Sequence, residues 1–231
     1  MNPVTLTFSP EIASAAPALR VAAIEASVSN PPTSDKLWDL ISRTAADIAA
    51  VTELGDINKR PAIKATRDAY KALGKEPNRY RPSAEALTRR VVKGMELYRI
   101  DTLVDLINLV SLASGYSIGG FDRGKIEGDT MELGVGREGE PFEAIGRGQL
   151  NIASLPVYRD AAGGVGTPTS DNERTKLTAS TSRLLMTINI YGEEMPVDDT
   201  VALAVSLLEE YACASDIRVS YFSPSTHPST Q

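Results

Sequence analysis

Apolar and polar positions alternate from Val4 to Phe8 as in a short strand, and Leu19 to Val28 (LRVAAIEASV) is an apolar run suited to a buried one. A loop, Asn30 to Asp35, ends in helix-capping residues. From Lys36 to Thr52 the apolar side chains Leu37, Leu40, Ile41, Ile48 and Val51 then recur at helical spacing, which predicts a long amphipathic helix. Pro61 to Leu73 reads as a second helix closed by Gly74. The next stretch, Lys75 to Ser83, is basic and holds two prolines, so it reads as a loop. Ser83 is expected to cap a helix over Ala84 to Lys93 that turns Leu87 and Val91 inward and leaves Arg89, Arg90 and Lys93 free.

A further helix starts at Asp101 (DTLVDLINLVSLASG) and is apolar on nearly every face, which places it at the centre of the protein. Asp105, Asn108 and Ser111 interrupt it three residues apart, and a polar stripe on a buried helix needs partners. Beyond Gly115 the character changes to short, glycine-punctuated strands: Met131 to Arg137, Pro156 to Asp160, Lys176 to Thr178, and Arg183 to Tyr191. Asp198 and Asp199 open a final helix through Ala212, with Leu203, Leu207, Leu208 and Tyr211 on one side, and Ile217 to Phe222 reads as a closing strand. There is no internal repeat and no long linker, so the expectation is one α+β domain over residues 1–222 and a disordered tail over 223–231.

Charge is distributed unevenly. Between Lys59 and Arg99 lie twelve Lys or Arg and four acids, whereas the other residues include twelve basic and twenty-six acidic ones. A polyanion is therefore steered to one segment and repelled by the rest. The alternative, solvated outer faces of two helices, stays open at this point. Cys213 is the only cysteine, in an apolar stretch read as helical, which excludes an internal disulfide or a cysteine-cluster metal site. The chain lacks an apolar run of membrane-spanning length, and its start does not resemble a signal peptide, so a cytoplasmic protein is expected.

Candidate chemistry is constrained by what is scarce. His227, the one histidine, sits in the polar tail, which argues against Ser-His-Asp or Cys-His catalysis and against histidine-rich metal sites. Neither Gly115 to Gly124 nor Gly163 to Gly166 matches a phosphate or dinucleotide loop. No cofactor or metal is expected. What remains is hydroxyls, backbone amides and a few carboxylates in the strand-rich half, Asp160, Asp171 and Glu140 among them, a set equally typical of turns.

The order of motifs adds to this. Tyr98 to Asn108, continuing through Ser111-Leu112 to Gly115-Tyr116-Ser117-Ile118-Gly119-Gly120-Phe121-Asp122, resembles the helix-to-strand signature of the B3/B4 domain in the phenylalanyl-tRNA synthetase beta subunit. Gly139-Glu140, Ile145-Gly146, Val157 to Asp160, Gly163 to Gly166 and Thr178 to Leu185 follow in that family's order, and residues 70–90 look like the extension of freestanding members. The resemblance implies a three-layered B3/B4-like fold with mixed β-sheets and packed helices. It also implies a role in editing misacylated tRNA; the synthetase's own catalytic motifs are missing, so charging of tRNA is not expected.

In the synthetase this domain hydrolyses tyrosine wrongly esterified to phenylalanine tRNA. Where the family carries a histidine this chain has Gly119, and a recognition glutamate is replaced by Thr187. These departures leave two alternatives: a wider pocket for another amino acid, or a site that binds without cleaving. The resemblance implies an amino-acid pocket built from Asn108, Ser111, Gly119, Gly120, Asp122, Glu140 and Thr181. Arg79, Arg81, Arg89, Arg90 and Lys93 are the candidates for guiding a tRNA acceptor end. The expected partners are tRNA and its amino-acid moiety, with no DNA or membrane partner.

Overall fold

The computed structural model describes residues 2–224, so His227 and most of the tail lie outside it. In chain order the elements are β1 (Thr5–Phe8), α1 (Pro10–Ala15), β2 (Arg20–Ser27), α2 (Asp35–Val51), α3 (Pro61–Ala72), α4 (Ser83–Val92), α5 (Thr102–Ser114) and β3 (Ser117–Asp122). Next come β4 (Thr130–Val135), β5 (Glu143–Ala144), β6 (Gly148–Gln149), β7 (Pro156–Asp160), β8 (Gly163–Gly166), β9 (Arg183–Ile190), α6 (Val197–Ala212) and β10 (Ser215–Phe222). The fold is α+β, with mixed sheets and packed helices.

One four-stranded sheet, in the order β10-β2-β9-β3, is antiparallel throughout; the other, β1-β4-β7-β8, is mixed because β1 runs parallel to β4. Strand alternation decides how they stack. Ala22 and Ile24 of β2, Ile118 of β3 and Leu184, Met186 and Ile188 of β9 form one core with α2, α5 and α6. Their neighbours Val21, Ala23, Phe121 and Leu185 point the other way, into a second core with Leu6, Phe8, Met131, Leu133, Tyr158 and Val165. The result is three layers: helices, antiparallel sheet, mixed sheet.

Several local expectations need correction. Ser83 does not cap α4: its amide donates to the Pro168 carbonyl at 2.7 Å, so it begins the helix and Pro82 stands at the cap position. Lys176 to Thr178 is not a strand but a loop tied to β3 by a single bridge between Phe121 and Lys176. Cys213 lies just past α6 in a left-handed conformation (φ 49°), exposed to solvent. The buried side of α6 centres on Thr200, Val201, Ala204, Leu207 and Leu208, leaving Leu203 and Tyr211 half-buried. No helix among the described residues is long and apolar enough to cross a membrane.

The polar stripe of α5 is partly satisfied. Asp105 is buried and accepts from the Thr33 hydroxyl and from the Ile100 amide at 3.1 Å; desolvation raises its pKa against those bonds. The Ser111 hydroxyl donates to the Tyr116 carbonyl at 2.7 Å. Asn108, half-exposed, has no hydrogen-bond partner for its side chain among the described residues.

Candidate functional site

Helix α5 is fixed at both ends. Asp101 accepts from the Val104 amide and Asn30 from the Leu103 amide, each at 2.9 Å, and Gly115 ends the helix at φ 78°, a conformation glycine adopts without a side-chain clash. This places Val104, Ile107, Asn108 and Ser111 along one wall of a cavity of about 370 Å³. Ile118 and Gly120 of β3 contribute to it, as do Ser83 and Leu87 of α4 and Ile145 from the turn between β5 and β6. The remaining side is the segment bearing Asp171, Lys176 and Leu177, held against the sheets by bridges from Gly166 to Asp171 and from Phe121 to Lys176.

Asp171 is the chemically unusual member of this lining. Its carboxylate accepts one hydrogen bond, from the Gly120 amide at 3.2 Å, and no ion pair reaches it among the described residues. Part of the residue stays open to the cavity, but protein atoms crowd the carboxylate: burial pushes its pKa up to about 7, and the Gly120 amide offsets only part of that rise. Lys176, the cation in this lining, is engaged elsewhere, with Glu173. A carboxylate that titrates near neutrality in a mainly apolar cavity is the kind of group found at functional sites.

A second cavity of about 310 Å³ lies across α4. Arg79, Arg81, Arg89, Arg90 and Lys93 all line it, joined by Arg147 from the β5–β6 turn. A buried carboxylate organises this cluster. Glu85 accepts from Arg67 at 2.7 Å and from Arg89 at 2.8 Å, with Arg81 at 3.8 Å, while Arg67 also donates to the Pro77 carbonyl and to Asn78 in the basic loop. Arg90 packs its guanidinium over the Tyr98 ring at 4.1 Å and donates to the Glu96 carbonyl. Lys93 and Arg147 are exposed and engage no protein group through their side chains among the described residues.

The two cavities share their dividing elements. Ser83 and Leu87 face one and Ala86, Arg89 and Arg90 the other, while Ile145 and Arg147 do the same across one turn. That turn is tied to the carboxylate segment through the Ile145 amide, which donates to the Asp171 main-chain carbonyl at 3.1 Å. A larger groove of about 480 Å³ between α2 and residues 94–97, lined by Trp38, Ala45, Ala49 and Met95 among others, contains none of the candidate pocket or tRNA-guiding residues.

Of the expected pocket residues, Asn108, Ser111 and Gly120 come together around the first cavity, and Gly119, Asp122, Glu140 and Thr181 are not in its lining. The pleat explains Gly119. It faces the mixed sheet, where a side chain would meet the Phe121 ring at 2.5 Å and the Thr187 hydroxyl at 2.9 Å, so no wider pocket opens there. Thr187 lies on that same buried inter-sheet side. Asp122 caps a turn by accepting from the Gly124 amide at 3.0 Å and from the Thr181 hydroxyl at 2.9 Å. Glu140 forms a two-pronged pair with Arg159 at 2.7 and 2.6 Å. The sequence places Asp171 only in a broad set of polar groups typical of turns, in an Asp/Ser/Thr-rich loop, and does not single out Arg147.

An α+β domain with a cationic cleft beside a mainly apolar, carboxylate-bearing cavity is thus the class defined by the geometry. The B3/4 domain model matches residues 65–196, more than half of the chain, and the protein belongs to that family. Among solved structures, an N-terminal fragment of the phenylalanyl-tRNA synthetase beta-subunit from Pyrococcus horikoshii is similar to it, with a TM-score of 0.48 and 14% identity. The match covers 94% of this chain and 51% of that one, so the chain spans about half of the fragment's length. No curated protein gives a significant match.

Proposed function

We propose that this protein binds the aminoacylated end of tRNA and hydrolyses a misacylated ester in trans. In this reading the acceptor-end phosphates lie in the cleft of Arg79, Arg81, Arg89, Arg90, Lys93 and Arg147, and the amino-acid moiety enters the cavity beside Asn108, Gly120 and Asp171. The observation that carries the reading is the shared wall: one helix and one turn present cations to one side and a small mainly apolar cavity to the other. A ligand that is polyanionic along its length and bears a small organic group at its tip fits both halves.

Ester hydrolysis at such a site rests on positioning. A positioned water attacks the ester carbonyl, backbone amides or Asn108 supply donors to the developing oxyanion, and the proton passes to the departing ribose oxygen. A second reading, binding without cleavage, is favoured by the commitment of the Ser111 hydroxyl to the Tyr116 carbonyl, which withholds it as a nucleophile. Deacylation assays over a panel of mischarged tRNAs test the choice. Hydrolysis proceeds faster with protein for a subset of amino acids if the first reading holds, and every ester survives at its spontaneous rate if the second does.

The family, the basic cleft and the cavity also favour a single domain acting as one unit over residues 1–222. A cytoplasmic location, where charged tRNA is found, accords with this role.

A further inference from the structure

The aminoacyl reading leaves open how the cavity recognises its ligand. The mainly apolar walls formed by Leu87, Val104, Ile107, Ile118 and Leu177 favour an apolar side chain and say nothing about the rest of the amino acid. Asp171 does. A carboxylate taken out of water is unfavourable unless it meets a cation or several donors, and among the described residues this one meets a single backbone amide. Other titratable groups at the cavity are Asp101, which caps α5, and Lys176, paired with Glu173; Tyr158 lies close enough behind Asp171 to feel its charge. None supplies a free positive charge to the carboxylate.

Resting on the aminoacyl reading above, we propose that Asp171 receives the free α-ammonium group of the ligand, so that the site takes apolar aminoacyl groups whose amino end is unblocked. The chain would then hold its ligand by two opposite charges: phosphates against the arginines across α4, and the ammonium against Asp171 below. That polarity fixes which way the ester points. A peptidyl or N-acylated end, which carries no positive charge, leaves Asp171 without its counter-ion and is rejected. Burial raises the affinity of the carboxyl for protons, in keeping with a site built to meet a cation.

The test uses the full chain and calorimetric titration at pH 8 with 3′-amide-linked aminoacyl-adenosines that cannot hydrolyse, bearing alanyl, valyl, leucyl or phenylalanyl groups. Each is compared with its N-acetyl form. The expected result is that at least one free-amine ligand binds about tenfold or more tightly than its N-acetylated counterpart, and that Asp171→Asn removes the difference. Equal binding of the two forms by the unaltered protein overturns the ammonium assignment and leaves the aminoacyl reading standing. If no member binds in either form, both fall. Because the decisive comparison is made on the ligand, it does not depend on how the variant folds.

Discussion

Arg67 donates to Glu85 at 2.7 Å in a pair almost withdrawn from solvent, the Glu85 side chain being 0% and that of Arg67 8% exposed. This bond links α3 to α4 and, through the further bonds of Arg67 to Pro77 and Asn78, ties down the basic loop that carries Arg79 and Arg81. The cationic cleft is therefore built on a buried carboxylate. Glu85→Ala leaves Arg67 buried without its counter-charge and is expected to lower stability by about 3–5 kcal/mol. Urea denaturation measures the loss, and tRNA affinity should fall with it even though Glu85 contributes no positive charge.

Lys93 and Arg147 offer a cleaner probe of the cleft, because their side chains engage no other described protein group. The double variant Lys93→Ala/Arg147→Ala should keep the thermal midpoint of the parent and bind tRNA more weakly. Its plot of log affinity against log salt should be shallower by roughly one to two, the share of two phosphate contacts. Filter binding across a salt series reads both quantities, and an unchanged slope would show that RNA does not reach this cleft.

Neighbouring glycines on β3 separate cavity from core. A Cβ at Gly120 would lie 2.4 Å from Cδ1 of Ile107 and 3.1 Å from Cδ1 of Leu177, both ends of flexible side chains that line the cavity. Gly120→Ala is thus expected to lower stability by about 1 kcal/mol and to weaken ligand binding as those side chains shift. Gly119→Ala meets a rigid ring instead, at 2.5 Å from Phe121, and should lower stability by about 2–3 kcal/mol without altering the cavity lining. Melting and ligand titration on the two variants distinguish these effects.

Asp171 gives the pH dependence its sign. Its folded pKa, about 7, stands above the ordinary 3.8, so the folded state holds the proton more tightly. The stability this contributes is fully present below about pH 4 and is lost as pH rises through about 7. Asp171→Asn keeps an acceptor for the Gly120 amide and carries no charge to desolvate. It should exceed the parent in stability at pH 8, by on the order of 2–4 kcal/mol, and show no such gain at pH 4. Denaturant titrations at the two pH values check this, and a stabilised variant that has lost ligand binding would mark a residue kept for function at the expense of stability.

Much of the scaffold is legible from local pattern. Leu37 and Ile41 at helical spacing mark the buried side of α2, and the run Arg183 to Tyr191 contains β9, buried on both faces as its unbroken apolar character requires. The helix from Asp101 emerges with its cap and glycine stop in place. Short α1 is missed because six residues hold too little periodicity to register. The site is only half legible. Charge density singles out five cations of the cleft, since they lie close together in sequence, while Arg147 reaches it only through the β5–β6 turn. Asp171 depends on a contact 51 residues away, at Gly120, and on its exclusion from water; neither leaves a mark in the local sequence. Gly119 and Gly120 look equivalent in the chain, and the strand's pleat sends them to opposite faces.

The central claim is that the mainly apolar cavity and the cationic cleft serve one ligand. The most direct measurement is the ratio of affinities for a tRNA carrying a non-hydrolysable, amide-linked apolar amino acid and for the same tRNA uncharged. A preference of about tenfold or more for the charged form, abolished by Asp171→Asn but kept in Lys93→Ala/Arg147→Ala as both affinities drop together, is the predicted result. Equal affinity for charged and uncharged tRNA across the apolar amino acids would contradict it.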